Sequence, residues 1–170
     1  KTGVGTYAII IDTGSLKSTN YSFELIQGNI AITQAPLKLI ADSKTRVFGA
    51  ANPTFTVTYS GFVNGESFTS SGLAGEPQMI TTAGATSPVG PYPITFVPNV
   101  TTSDNYELSY DSGTLTVDKA ELTVTAENKS KTYGQQNPDL TYTVSGFMNT
   151  DDVSVLTGSP ALSTGAANST

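Results

Sequence analysis

The residues of the first half of this chain return, in order, 85 positions later. Ala35, Leu37, Lys44, Gly49, Asn52, Pro53, Ser60, Gly61, Phe62 and Asn64 recur as Ala120, Leu122, Lys129, Gly134, Asn137, Pro138, Ser145, Gly146, Phe147 and Asn149. Upstream, Val4, Gly5, Tyr7, Ile9, Asn20, Tyr21 and Gly28 pair at the same offset with Val89, Gly90, Tyr92, Ile94, Asn105, Tyr106 and Gly113. Further on the offset falls to 83, where Leu73, Gly75 and Pro77 meet Leu156, Gly158 and Pro160. A two-residue deletion in a surface loop accounts for the shift. Two periods cover all 170 residues, so the fold is set by one small unit and its copies.

Each period reads as strands. Leu122, Val124 and Ala126 alternate with polar residues, which gives one buried and one wet face, and Leu140, Tyr142 and Val144 repeat the pattern. Residues 92–96, 106–110 and 113–117 are further strands, with Asp111-Ser112-Gly113 expected as a hairpin turn. Their counterparts lie at 7–11, 21–25 and 29–33. Asn-Pro at 52/53 and 137/138 interrupts the chain, because the residue before proline avoids the α region. Helix is expected only at 149–156, about two turns, with Asn149 or Thr150 as cap and Asp151 and Asp152 at the positive end of its dipole. The expected fold class is mostly β: tandem modules of about six strands, immunoglobulin-like sandwich or β-grasp-like, each with at most one short helix.

The residues lead to two ways of dividing the repeat. The strand pattern runs with no flexible spacer through residues 115–124. That favours the end of a first module at 1–35, a whole module at 36–120 and the start of a third at 121–170. In the alternative phase, the Gly-, Ser-, Thr- and Pro-rich stretch 81–90 is the linker between modules at 1–83 and 87–170. Under the first phase the leading and trailing pieces sum to one more module, completed between neighbouring chains by head-to-tail or swapped contacts.

Chemistry is restricted by what is missing. With no His and no Cys, the neutral-pH proton shuttle, thiolate nucleophiles, zinc fingers and Ser-His-Asp relays are all excluded. Fourteen acidic residues face eight basic ones, so nucleic acid and anionic membranes are poor partners, and no apolar run is long enough to insert in a membrane. Ser and Thr make up about a quarter of the chain, a balance typical of β-rich extracellular modules.

Lys131-Thr-Tyr-Gly-Gln-Gln-Asn-Pro138, the following Val-Ser-Gly-Phe147, Ser87-Pro-Val-Gly-Pro-Tyr-Pro-Ile94, Asn105-Tyr106, Gly113-Thr-Leu-Thr-Val117 and Lys119-Ala120 form an ordered set. Together they resemble the MBG repeat (mostly beta, glycine-rich) in its Tyr-Gly form, over essentially the whole chain. At Val47-Phe48-Gly49 the tyrosine is replaced by Phe48, which keeps the ring and loses the hydroxyl. The resemblance implies tandem modules of long bacterial surface or secreted proteins, many of them adhesin-like. It implies no catalytic residues and no cofactor.

Several constellations stand out against plainer readings. Asn149, Asp151 and Asp152 offer oxygen ligands for calcium, but the matching Asn64-Gly-Glu66-Ser67 keeps one carboxylate, and a charged helix start is the simpler use. No motif selects a carboxylate pair for glycoside chemistry, so no enzyme is expected. Tyr7, Tyr21, Tyr92, Tyr106, Tyr133 and Tyr142 occupy alternating or repeated positions that suit core packing. Tyr59 and Tyr110 meet Val144 and Leu25 in the other period, which makes them the weak ligand-binding candidates. Lys44 and Lys129, near Asn52 and Asn137, raise the thought of an internal amide cross-link, ranked below an ordinary solvated lysine. Four Asn-X-Ser/Thr sequons, at Asn20, Asn99, Asn128 and Asn168, are what so Ser/Thr-rich a chain contains by chance.

The functional expectation is a non-catalytic stalk or spacer at a bacterial cell surface, its partners the neighbouring repeats. The alternative is a module that itself binds host or surface carbohydrate or protein.

Overall fold

The computed structural model describes residues 1–166, so the Asn168 sequon lies outside the described residues. The strands are β1 Gly5–Ile9, β2 Gly28–Ile32, β3 Ala35–Ala41, β4 Lys44–Val47, β5 Val57–Ser60, β6 Met79–Ile80, β7 Gly90–Phe96, β8 Tyr106–Asp111, β9 Gly113–Asp118, β10 Thr123–Ala126 and β11 Tyr142–Ser145. They form two-stranded sheets β1-β2 and β10-β11, a three-stranded sheet β5-β3-β8 and a four-stranded sheet β4-β9-β7-β6. The fold is mostly β.

The described chain divides into two compact units. One comprises Lys1–Ser43, Phe55–Thr81 and Pro93–Thr114; the other holds Lys44–Thr54, Thr82–Tyr92 and the residues from Leu115 onward. In the first, β3 pairs antiparallel with β5 and parallel with β8. Period-2 alternation turns Leu37 and Leu39 inward, where with Tyr106 they form a buried cluster flanked by Tyr59, Phe62, Leu73, Phe96 and Leu108. Phe96, at the end of β7, packs against this cluster. A β-grasp needs a helix there, and no α-helix occurs among the described residues. The parallel pairing also departs from the antiparallel sheets of an immunoglobulin-like sandwich.

In the second unit β4 pairs parallel with β9, from Lys44↔Leu115 to Val47↔Asp118. Arg46 is buried there and donates three hydrogen bonds. Its Nε donates to Asn52 Oδ1 at 2.8 Å, one terminal nitrogen to Val47 O at 3.1 Å and the other to Gly84 O.

Three expectations change, one of them the strand at 21–25, where the structure has none. Asp111-Ser112-Gly113 is not a hairpin turn, because β8 joins the β3 sheet while β9 joins the β4 sheet. A Cβ at Gly113 would stand 2.4 Å from Ala41 O, so glycine is required where the chain passes between sheets. The helix at 149–156 shrinks to one 3-10 turn, Val153–Val155, capped by Asp152. Asn149 adopts φ +56 and so belongs to a turn instead of capping a helix.

The repeat seen in sequence is also a repeat of geometry. Lys38↔Ser60 in β3-β5 becomes Thr123↔Ser145 in β10-β11. Asn64 and Asn149 share φ +56, and a Cβ on Gly61 or Gly146 would meet Pro36 O at 2.4 Å or Glu121 O at 2.6 Å. Asn52 Nδ2 donates to Ala83 O at 2.6 Å, and Asn137 Nδ2 to Ala166 O at 2.8 Å. Tyr7 and Tyr92 each donate to the carbonyl four residues back, both at 2.9 Å.

Burial breaks this symmetry. Tyr106 is 2% exposed and its counterpart Tyr21 80%; Ile94 is 0% exposed and Ile9 53%; Leu39 is 0% exposed and Val124 52%. Leu115 is likewise fully buried where Ile30 is exposed. Segment 21–26, the counterpart of β8, forms no strand.

Candidate functional site

The most elaborate polar arrangement lies in the first unit, around Tyr106 at the start of β8. Ser103 Oγ accepts from the backbone N–H of Asn105 at 3.3 Å and of Tyr106 at 3.1 Å, which fixes how the strand begins. The Tyr106 ring sits inside, edge-on to Phe62 with centroids 5.7 Å apart. Its hydroxyl donates to Glu66 Oε2 at 2.5 Å and accepts from Val63 N at 3.2 Å. Glu66 Oε1 in turn receives Lys1 Nζ at 2.6 Å. A cavity of about 160 Å³ lies beside the group, lined by Val4, Ala35, Val63, Glu66, Asn105 and Tyr106 among others.

The protonation states follow from those contacts. Lys1, then the Tyr106 hydroxyl, hold the Glu66 carboxyl below its ordinary range. Burial, then the Glu66 carboxylate, push the Tyr106 phenol above its ordinary value. Both shifts move away from neutral pH, so the pair stays Tyr-OH and carboxylate and exchanges no proton there. That suits a fixed joint and does not suit general acid-base work.

The second unit repeats the site without its tyrosine. Val89, Ala120, Met148 and Asp151 stand at the positions of Val4, Ala35, Val63 and Glu66, and they line a cavity of about 520 Å³ with Leu122 and Phe147. Asp151 N donates to Met148 O at 3.1 Å as Glu66 N donates to Val63 O at 3.0 Å, so the turn is the same.

The residues singled out from sequence fall in several places. Tyr59 is half-buried, its ring 5.4 Å from Phe62 and 5.6 Å from Phe68, and belongs to the core. Tyr110 is partly exposed, packs on Phe96 at 5.1 Å and lines a groove with Val97, Pro98 and Asn99. Of the calcium candidates, Asp151 lines the larger cavity, Asp152 accepts from Ser154 N at 2.8 Å, and Asn149 forms the turn. Among the described residues no group of three or more acidic side chains is placed to hold a metal ion. Lys129 Nζ meets Glu127 Oε2 at 3.0 Å, and the amide nitrogens of Asn52 and Asn137 donate to backbone carbonyls. Sequence reading gave Glu66 no role beyond that of a lone counterpart carboxylate and passed over Arg46, although Arg46 is the chain's single arginine and stands in a Thr- and Ser-rich neighbourhood.

The same strand pairing and the same turns recur in both halves of the chain. The sequence model of the MBG domain (YGX type) family matches residues 37–116 and 122–170, and the chain belongs to that family. No curated protein and no solved structure was found to match it.

Proposed function

We propose that the chain is a non-catalytic stalk or spacer segment of a bacterial cell-surface or secreted, adhesin-like protein. In this reading residues 36–120 are one whole module, 1–35 the end of the module before it and 121–170 the start of the next. The observation that carries it is the burial contrast: equivalent positions are closed off in 36–120 and open in both flanks. The break in the family match between 116 and 122 supports the same boundary.

Stiffness supports the spacer role. The leading piece is tied to the whole module through Lys1–Glu66, Val4 N to Asn105 Oδ1 at 3.1 Å, Gln34 Nε2 to Asp104 O at 3.1 Å and Ala35 N to Asn105 O at 3.0 Å. Only Thr33 and Gln34 separate β2 from β3. A junction held this way bends little, and the reach of such a chain grows linearly with module number, where a flexible linker grows as its square root. Small-angle scattering on forms with two, three and four modules tests this. Linear growth of the maximum dimension is expected, and a broad distribution of dimensions would overturn it.

A second reading, a carbohydrate- or protein-binding module, draws on Tyr110, whose half-open ring borders a groove of about 290 Å³. Saturable binding on a glycan or protein array, lost in Tyr110→Ala, would favour it over the spacer.

A further inference from the structure

The turn at 47–50 carries the residues for which the Tyr-Gly type of the family is named, with Phe48 in the place of the tyrosine. Val47-Phe48-Gly49-Ala50 and its counterpart Thr132-Tyr133-Gly134-Gln135 have one shape. Gly49 adopts φ +86 and Gly134 φ +87, and Ala50 N donates to Val47 O at 3.2 Å as Gln135 N does to Thr132 O at 3.0 Å. A left-handed φ is by itself a reason for glycine.

At Gly49 there is a second reason. A Cβ there would stand 2.4 Å from Met148 Cβ and 2.7 Å from its Cγ, so the backbone of the turn lies directly on that side chain. At Gly134 no atom of the described residues comes within 4 Å of the same point. The turn therefore takes its shape without such a contact, and the contact at Gly49 serves something other than the turn. The turn is also held in place before it meets Met148. Phe48 N donates to Asp118 O at 2.8 Å and Gly49 N to Ala85 O at 3.2 Å, while Arg46 bonds to Val47 O at its near end and to Asn52 beyond its far end. The Phe48 ring borders the same cavity as Leu122, Phe147 and Met148, which suits an aromatic side chain without a hydroxyl. All these residues belong to the second compact unit.

We propose that the turn at 47–50 is a clasp between successive modules: it seats the bare face of Gly49 on Met148, the residue ahead of the Asn149 turn in the module that follows. With a module boundary at 120, Gly49 and Met148 lie on opposite sides of it, and the covalent connection runs only through the segment between β9 and β10. A single tether leaves two modules free to swivel about it. A second attachment, far from the tether in sequence, removes that freedom. The inference rests on the module boundary proposed above and is independent of whether the modules act as a stalk.

The chain has no cysteine, so spin labels attach only at introduced ones. Thr45 on β4 and Thr143 on β11 are exposed and stand one on each side of the boundary. In the full chain carrying Thr45→Cys and Thr143→Cys, double electron-electron resonance should read a narrow distance distribution. Gly49→Ala should broaden it about twofold or more, because modules without a fixing contact move relative to each other by default. Gly134→Ala imposes the same left-handed strain and should leave the width as it was. Met148→Ala should broaden it as well, and since Met148 is 37% exposed this variant keeps its fold. Both changes act on one contact, so the double variant should be no broader than the broader of the two single ones. Unchanged widths in Gly49→Ala and Met148→Ala, equal broadening by Gly134→Ala, or additive broadening in the double variant would each overturn the clasp. Slower amide exchange in β3 and β8 than in β10 reports the boundary separately, so unchanged widths beside that contrast would sink the clasp and leave the boundary standing.

Discussion

Tyr21 and Tyr106 have the same side chain, follow the same asparagine and are launched by the same serine turn, yet one lies in solvent and the other in the core. Their mutational costs should therefore part. Tyr106→Phe removes two hydrogen bonds and leaves Glu66 and Val63 N short of a partner, so urea unfolding should show a loss of about 1–3 kcal/mol. Tyr21→Phe, at a ring that lies in solvent, should change stability by no more than about 0.5 kcal/mol. Glu66 adds a pH signature. Its folded-state carboxyl titrates below the unfolded value, so its contribution is present above the unfolded glutamate value of about 4.3 and is lost as pH falls through the depressed folded one. The stability gap between wild type and Glu66→Gln, followed by urea unfolding from pH 7 down to pH 3, should hold above that range and close below it.

Among the elements, β4 shows how a short strand is fixed. Four residues paired on one side to β9 hold little by themselves, and Arg46 anchors them by donating to Asn52, to Val47 O and to Gly84 O. Arg46→Ala would remove three hydrogen bonds made by a buried side chain, and denaturant unfolding should show a cost of about 1–3 kcal/mol. Arg46→Lys should recover only part of it, because an ammonium lacks the planar fork. The strands themselves were largely legible from alternation: β3, β5, β7, β8, β9, β10 and β11 stand where apolar and polar residues take turns. The β8-β9 hairpin was misread because Asp-Ser-Gly is good turn chemistry and local chemistry does not say which neighbour a strand will bond. The helix at 149–156 was misread because Asn149 suits an N-cap as well as the left-handed turn it forms.

For the molecule as a whole, protection from solvent should follow module completeness. Amide hydrogen exchange should be slowest in β3, β8 and β9 and faster in β10 and β11, although β3-β5 and β10-β11 share one pairing register. Equal protection in both would mean that 36–120 is not a privileged unit.

The order of residues by itself determined the repeat, the period of its strands and the absence of histidine and thiol chemistry, because these depend on spacing and composition alone. It also carried the turn geometry shared by both copies, since glycine and asparagine at fixed offsets hold the same φ wherever they recur. Only the tertiary structure decided which copy of an equivalent residue is buried, which strands run parallel and where the chain changes sheets. Burial requires a partner from far along the chain, and Leu39 has β8 beside its strand where Val124 does not.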